Sequence, residues 1–139
     1  MGISATATFR PRSDIGRFID VLITPAVLAS VQASCQLIEE RAKQFCPVDT
    51  GRLRDSITST VEQLDKTVRG SVGPNTPYAE YVEFGTGQRG AESAGAGPGP
   101  YSEHWIGMPA QPFMRPAMDE SRETIMEIFR SQIGVALHA

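Results

Sequence analysis

Cysteine is scarce in this chain of 139 residues: Cys35 and Cys46 are the only two. That is too few for a disulfide framework, and their separation is no zinc-ligand spacing. Together with His104 and His138 they make no paired CxxC or HxxxH arrangement of the kind a Cys2His2 site uses. A basic excess is missing as well. The net charge of −3 argues against a protein that grips nucleic acid through its phosphates. The one basic cluster, Arg10, Arg12 and Arg17, reads as a solvated arm. No apolar run is read as reaching the roughly 18 residues of a membrane span, and the N-terminus has no signal-peptide core. The expectation is a soluble, intracellular chain with no membrane partner. MGISAT at residues 1–6 fits the myristoylation pattern MGxxxS/T, a short signal that chance explains.

What is present is ordinary for a globular protein: 40% hydrophobic and 21% charged residues, on a length suited to one domain. The first periodic segment is TPAVLASVQASCQLIEERAKQF at 24–45. Val27, Val31, Cys35, Ile38, Ala42 and Phe45 recur at steps of three or four and predict one stripe of a helix. Thr24 can cap it and Pro25 suits its first turn. An earlier apolar set, Ile15, Phe18, Ile19 and Leu22, predicts a short helix leading in, with a kink or break at Pro25. Pro47 ends the long helix, and in CPVDTGRLRDSI the side chains of Asp49 and Thr50 can accept from following amides while Gly51 allows a left-handed turn. ITSTVEQLDKTVRGSVG is rich in β-branched residues and alternates, placing Ile57 with Val61 and Val68 with Val72. It predicts an antiparallel hairpin turning at Asp65 and Lys66, which TATF at 6–9 can extend by a strand.

In PNTPYAEYVEFGTG, Thr76 as cap, Pro77 in the first turn and Tyr78, Tyr81 and Val82 at helical spacing predict a short helix ending at Gly85. The next residues, GTGQRG at 85–90, spell GxGxxG, but a dinucleotide cradle needs a strand before it, a helix after it and an acid about 20 residues on. Here a helix precedes, AESAGAGPGP follows, and Trp105 stands near the acid's position, so the match is accidental. From 85 to 110 the chain has no periodicity, and loops beyond about 12 to 15 residues tend to be functional or disordered. This one carries Arg89, Tyr101, Trp105, Ile106 and Met108, which are the candidate interface residues. The alternative is that Tyr101 and Trp105 tuck the loop onto its own domain. Beyond it, Phe113 and Met114 are an extended approach between Pro112 and Pro116, and Pro116 lies in the first turn of a second long helix, whose apolar side is Met118, Ile125, Ile128, Phe129, Ile133 and Leu137. The fold class expected is α+β: a small antiparallel sheet with two long amphipathic helices, one short helix and a long glycine-rich loop. Residues 1–139 form a single domain, 1–12 being an N-terminal arm or edge strand. Ser102, Glu103 and His104 are consecutive loop residues that do not converge on one point, and no carboxylate cluster suits a metal. No catalytic residue, cofactor or metal is expected.

Three separated segments, CPVDTGRLRDSI at 46–57, VG at 72–73 leading to YAEYVEFGTG at 78–87, and QPFMRPAMDES at 111–121, resemble the tail-component family of tailed bacteriophages, the neck or tail-completion group of phages with long non-contractile tails. The likeness spans about 25–137. Its matching positions are Pro47, Asp49, Thr50, Gly51, Leu53, Ser56 and Ile57, then Tyr78, Ala79, Glu83, Phe84 and Gly85, then Pro112, Phe113, Arg115, Pro116 and Ala117. On physical grounds these read as turn formers, caps and core anchors. The resemblance implies a non-enzymatic virion protein of the neck, in the host cytoplasm before assembly, forming a six-fold ring at the head-tail interface. The implied partners are its own copies, a head-closure or connector protein, and a tail tube or tail terminator protein. DNA would pass through the channel without sequence-specific binding. Two other readings compete with it. One is a small nucleic-acid-contacting adaptor using Arg10, Arg12, Arg17, Arg52 and Arg54; the other is an enzyme using His104 on a mobile lid.

Overall fold

The computed structural model describes residues 2–8, 15–65, 67–86 and 107–138. In chain order the elements are β1 (Ile3–Thr8), α1 (Ile15–Phe45), α2 (Arg52–Asp55), β2 (Thr58–Leu64), β3 (Thr67–Gly73), α3 (Ala79–Phe84) and α4 (Met114–His138). This is the α+β class expected. The three strands form one antiparallel sheet in the order β1-β3-β2.

Strand β3 is central, and its inward residues Val68, Gly70 and Val72 are buried while Arg69 faces out. Glycine at 70 is a packing requirement. A Cβ there would lie 2.3 Å from Cys35 Sγ and 2.8 Å from Val31 Cγ1, so α1 crosses the sheet at a point where only a hydrogen fits. The hairpin between β2 and β3 closes at Leu64↔Thr67, and Asp65 takes a left-handed φ of 46°. That supplies the turn without glycine, because aspartate tolerates this region better than most residues. The N-terminal strand exists and pairs with β3, but it occupies 3–8 rather than starting at residue 6.

Helix α1 lies against the sheet on one side and α4 on the other. Val27, Val31, Cys35, Ile38 and Ala42 are buried as the spacing predicts, whereas Phe45, at the helix end, is 37% exposed. The break expected at Pro25 does not occur: α1 is continuous through it. Proline removes the donor that Val21 C=O would use, but Val21 and Pro25 are both exposed, so water can replace that bond. The membrane expectation also needs correction. Val21–Phe45 is long and apolar enough to cross a bilayer by length and composition, because glutamine, serine and threonine, not charges, interrupt its apolar residues from 21 to 38. Here its apolar stripe is the core of the domain, and the buried hydroxyls of Ser30 and Ser34 bond back to Ala26 O and Ser30 O, each at 2.7 Å.

The two long helices run antiparallel. Near the C-terminal end of α1, Arg41 Nη1 donates to Glu120 O and to Ser121 Oγ (3.2 Å) near the start of α4. Helix α4 is anchored at its start, where Phe113, Met114, Ala117 and Ser121 are buried. Further along, Met118, Ile125, Phe129 and Ile133 are only partly covered, and Leu137, expected on the apolar side, is 62% exposed.

Candidate functional site

The residues of the three sequence segments meet at one end of the molecule, around the junction of α1, α3 and α4. The corner after α1 folds by short-range bonds. Gly51 is left-handed (φ 82°), Arg52 N–H donates to Thr50 Oγ1 at 3.4 Å, and Asp55 N–H closes the single turn of α2 onto Gly51 O at 2.9 Å. The sequence predicts a corner here, and the structure adds this single turn of helix to it. Its apolar residue Leu53 is buried, and Ile57, two residues past its end, is fully so. Ser56 fastens the corner to the end of the hairpin: its Oγ donates to Leu53 O (2.7 Å), while its O accepts from Asn75 N–H (3.2 Å).

Helix α3 begins at Ala79, with Tyr78 rather than Thr76 at the cap position and no side-chain capping bond. The buried Thr76 Oγ1 has no hydrogen-bond partner, so the capping role expected of it is not filled. What α3 does is hold the chain that leads into α4. Val82 O accepts from Gln111 N–H at 2.8 Å. Glu83, 4% exposed, turns its carboxylate onto the α4 N-terminus: Oε2 accepts from Phe113 N–H (2.8 Å) and Met114 N–H (3.0 Å), and Oε1 from Arg115 N–H (2.9 Å). A helix leaves four N–H groups without intrahelical partners at its start. Here three are taken by one carboxylate and the fourth position is Pro116, which has no N–H. The helix macrodipole adds to this, since it favours negative charge at that end. This explains why a glutamate in YAEYVEFG accompanies PFMRP so far along the chain. The alternation and periodicity that reveal helices carry no sign of a cap supplied from 30 residues away.

Gly85, with φ 74° and ψ −176°, sits in backbone space that side chains exclude and turns the chain out of α3. The next residue, Thr86, exchanges two backbone bonds with Met108, N–H to O at 2.8 Å and O to N–H at 3.2 Å. Gly107, just before Met108, is also left-handed (φ 73°). Of the candidate interface residues, only Met108 lies among those described. Arg89, Tyr101, Trp105 and Ile106 lie outside them, as do Ser102, Glu103 and His104. Met108, half-buried, lines a hollow of about 520 Å³ whose other walls are Pro47, Val48, Asp49, Thr50, Gly51, Leu53, Tyr78, Val82 and Gln111. A second hollow of about 350 Å³ opens beside it, between Phe84, Ala110, Pro112, Arg115, Pro116 and Asp119. The Arg115 guanidinium lies over the Phe84 ring, 5.7 Å from its centroid.

The reactive side chains nearby are quiet. Burial, with the charge of Glu39 adding to it, pushes the Cys35 thiol up. Burial also raises Cys46, against the opposing charge of Arg54. Both therefore remain neutral thiols near pH 7. Glu39 is pushed up by burial, yet hydrogen bonds from Lys43 (2.7 Å) and Ser59 (2.6 Å) outweigh that and hold it below its usual range. Among the described residues no three His, Cys, Asp or Glu side chains gather as a metal ion would need.

Residues 22–85 match the family model HK97-gp10-like, described as "Bacteriophage HK97-gp10, putative tail-component". The match runs from within α1 to the end of α3, so the stretch that holds the corner, the hairpin and α3 is similar to a phage tail-component family, and this likeness supports a structural role in a phage tail. The third segment, at 111–121, lies beyond it and is tied to the matched part by the Glu83 bonds. No curated protein and no solved structure matches.

Proposed function

We propose that this chain is a structural virion protein of the phage neck, completing the tail where it meets the head, as a ring of about six copies around the DNA channel. The observation that carries this reading is the family match over 22–85. The geometry agrees with it. The polar groups of the resemblance segments are engaged in holding backbone: Glu83 on α4, Ser56 on Asn75, Thr50 on Arg52. What they build is a rigid end with two hollows, a surface suited to contact rather than to turnover. The mild negative charge suits a channel along which DNA slides without sticking. Of the arginines that an adaptor gripping nucleic acid would use, Arg54 donates to Asp55 at 3.1 Å, and with Asp49 in the same segment the corner carries no net positive charge.

Electron microscopy of intact particles, with the chain identified by an antibody or a fused tag, tests the proposal. The expected result is a few copies confined to the head-tail junction. A chain absent from purified particles, or spread along the whole tail, would overturn it.

A further inference from the structure

The sheet has two open sides. β3 is covered on both flanks, but the outer edges of β1 and β2 meet no other strand among the described residues. An edge strand presents a row of N–H and C=O groups ready to pair with another chain, and proteins that stay monomeric blunt such edges with lysine, proline, bulges or short length. Among the described residues neither edge strand carries lysine, proline or a bulge. β1 reads ISATAT, without charge or proline, and pairs with β3 through six consecutive residues. β2 reads TSTVEQL, with Glu62 its one charge, and pairs through seven in unbroken register. Thr58, Thr60 and Glu62 on one strand and Ser4 and Thr6 on the other are exposed.

The geometry points to these edges as the surfaces by which copies of this chain join, the outer edge of β2 in one copy pairing with the outer edge of β1 in the next. The occupant is a second copy because both halves of the contact stand on one chain. The edges flank a single sheet and have nearly equal length, about 20 Å at the usual rise per residue. Both strands run antiparallel to β3, hence parallel to each other, so a neighbour placed with its sheet continuing this one forms a parallel pair. Two different patches in contact repeat by one operation and either close into a ring or run on as a filament. Closure removes every free edge. In every copy α1 then covers one face of the continuous sheet, while the row Ser4–Ser71–Thr60 and the row Thr6–Arg69–Glu62 lie on the other. This deepens the ring reading above by naming the surfaces on which the copies meet.

Cysteine cross-linking tests it, because the two native cysteines are buried. The variants Ser4→Cys, Thr6→Cys and Thr60→Cys place thiols on exposed positions of the two edges, and the pair at 4 and 6 covers a two-residue shift of register. Unchanged melting temperatures show that each variant is folded. Upon oxidation of particles or of concentrated purified protein, each single variant is expected to stay monomeric on a denaturing gel. Mixing an edge-β1 variant with Thr60→Cys gives a dimer, and chains carrying both give a ladder of two, three and more. Like-to-like dimers from single variants, or particles that contain the chain and show no ladder with either pair, overturn the edge contact while leaving the tail assignment standing. A ladder from purified protein, with the chain itself missing from particles, supports the edge contact and removes the tail assignment.

Discussion

Glu83 illustrates how one residue can hold two parts of a chain. Its carboxylate takes three backbone N–H groups, and removing it leaves those donors without their partner, two of them at the buried residues Phe113 and Met114. Glu83→Ala is expected to destabilise the fold by about 3 kcal/mol, from the cost of several unsatisfied buried donors. Glu83→Gln, which keeps an acceptor but aims an NH2 group at the same amides, lies between it and the parent. Urea unfolding monitored by circular dichroism gives both values, and a loss below 1 kcal/mol for the alanine variant would deny the cap its role. Gly70 is the second such position. Gly70→Ala should cost about 1–3 kcal/mol by overpacking against Cys35 and Val31, and Cys35→Ala in the same chain should recover part of it. A double-mutant cycle in which the two effects simply add would show that the close approach relaxes elsewhere.

Between elements, the contact of α1 with β2 includes a polar link that responds to pH. Ser59 on β2 and Lys43 on α1 both donate to Glu39. Glu39 titrates lower in the folded protein than in the unfolded chain, so its contribution is present above the unfolded value and lost as pH falls through the folded one. In Ser59→Ala the acid-induced loss between pH 7 and pH 3 should be smaller than in the parent, read as the shift in urea midpoint at each pH. An equal loss in both proteins would remove Ser59 from the link. At this scale much of the fold was legible. Stepwise apolar spacing gave α1, alternation gave β3, and Gly85 gave the end of α3. Pro25 misled because a single exposed proline costs a long, packed helix little when its orphaned carbonyl faces water. Thr76 misled because a threonine before proline resembles a cap whatever its hydroxyl meets. The single turn of α2 is too short for any period to register.

For the whole molecule, the resemblance segments were legible as a set before their geometry was. Their wording spread over three stretches, but only the folded chain shows that α3 splints the approach to α4 and that corner, α3 and Met108 wall one hollow. The far end of α4 was over-read at Leu137: period predicts which side of a helix is apolar, not whether anything is there to cover it, and Leu137 stands exposed. Strand order was not legible either, since alternation cannot say which strand is central.

The Glu83 clasp has a consequence for the order of folding. Its two halves are separated by 30 residues, and the second half leaves the ribosome after the first. Until it arrives, the Glu83 carboxylate has none of its three amide donors. Local pieces such as the hairpin can form during synthesis, so this clasp closes late, after the main folding barrier, and Glu83 variants should accelerate unfolding far more than they slow refolding.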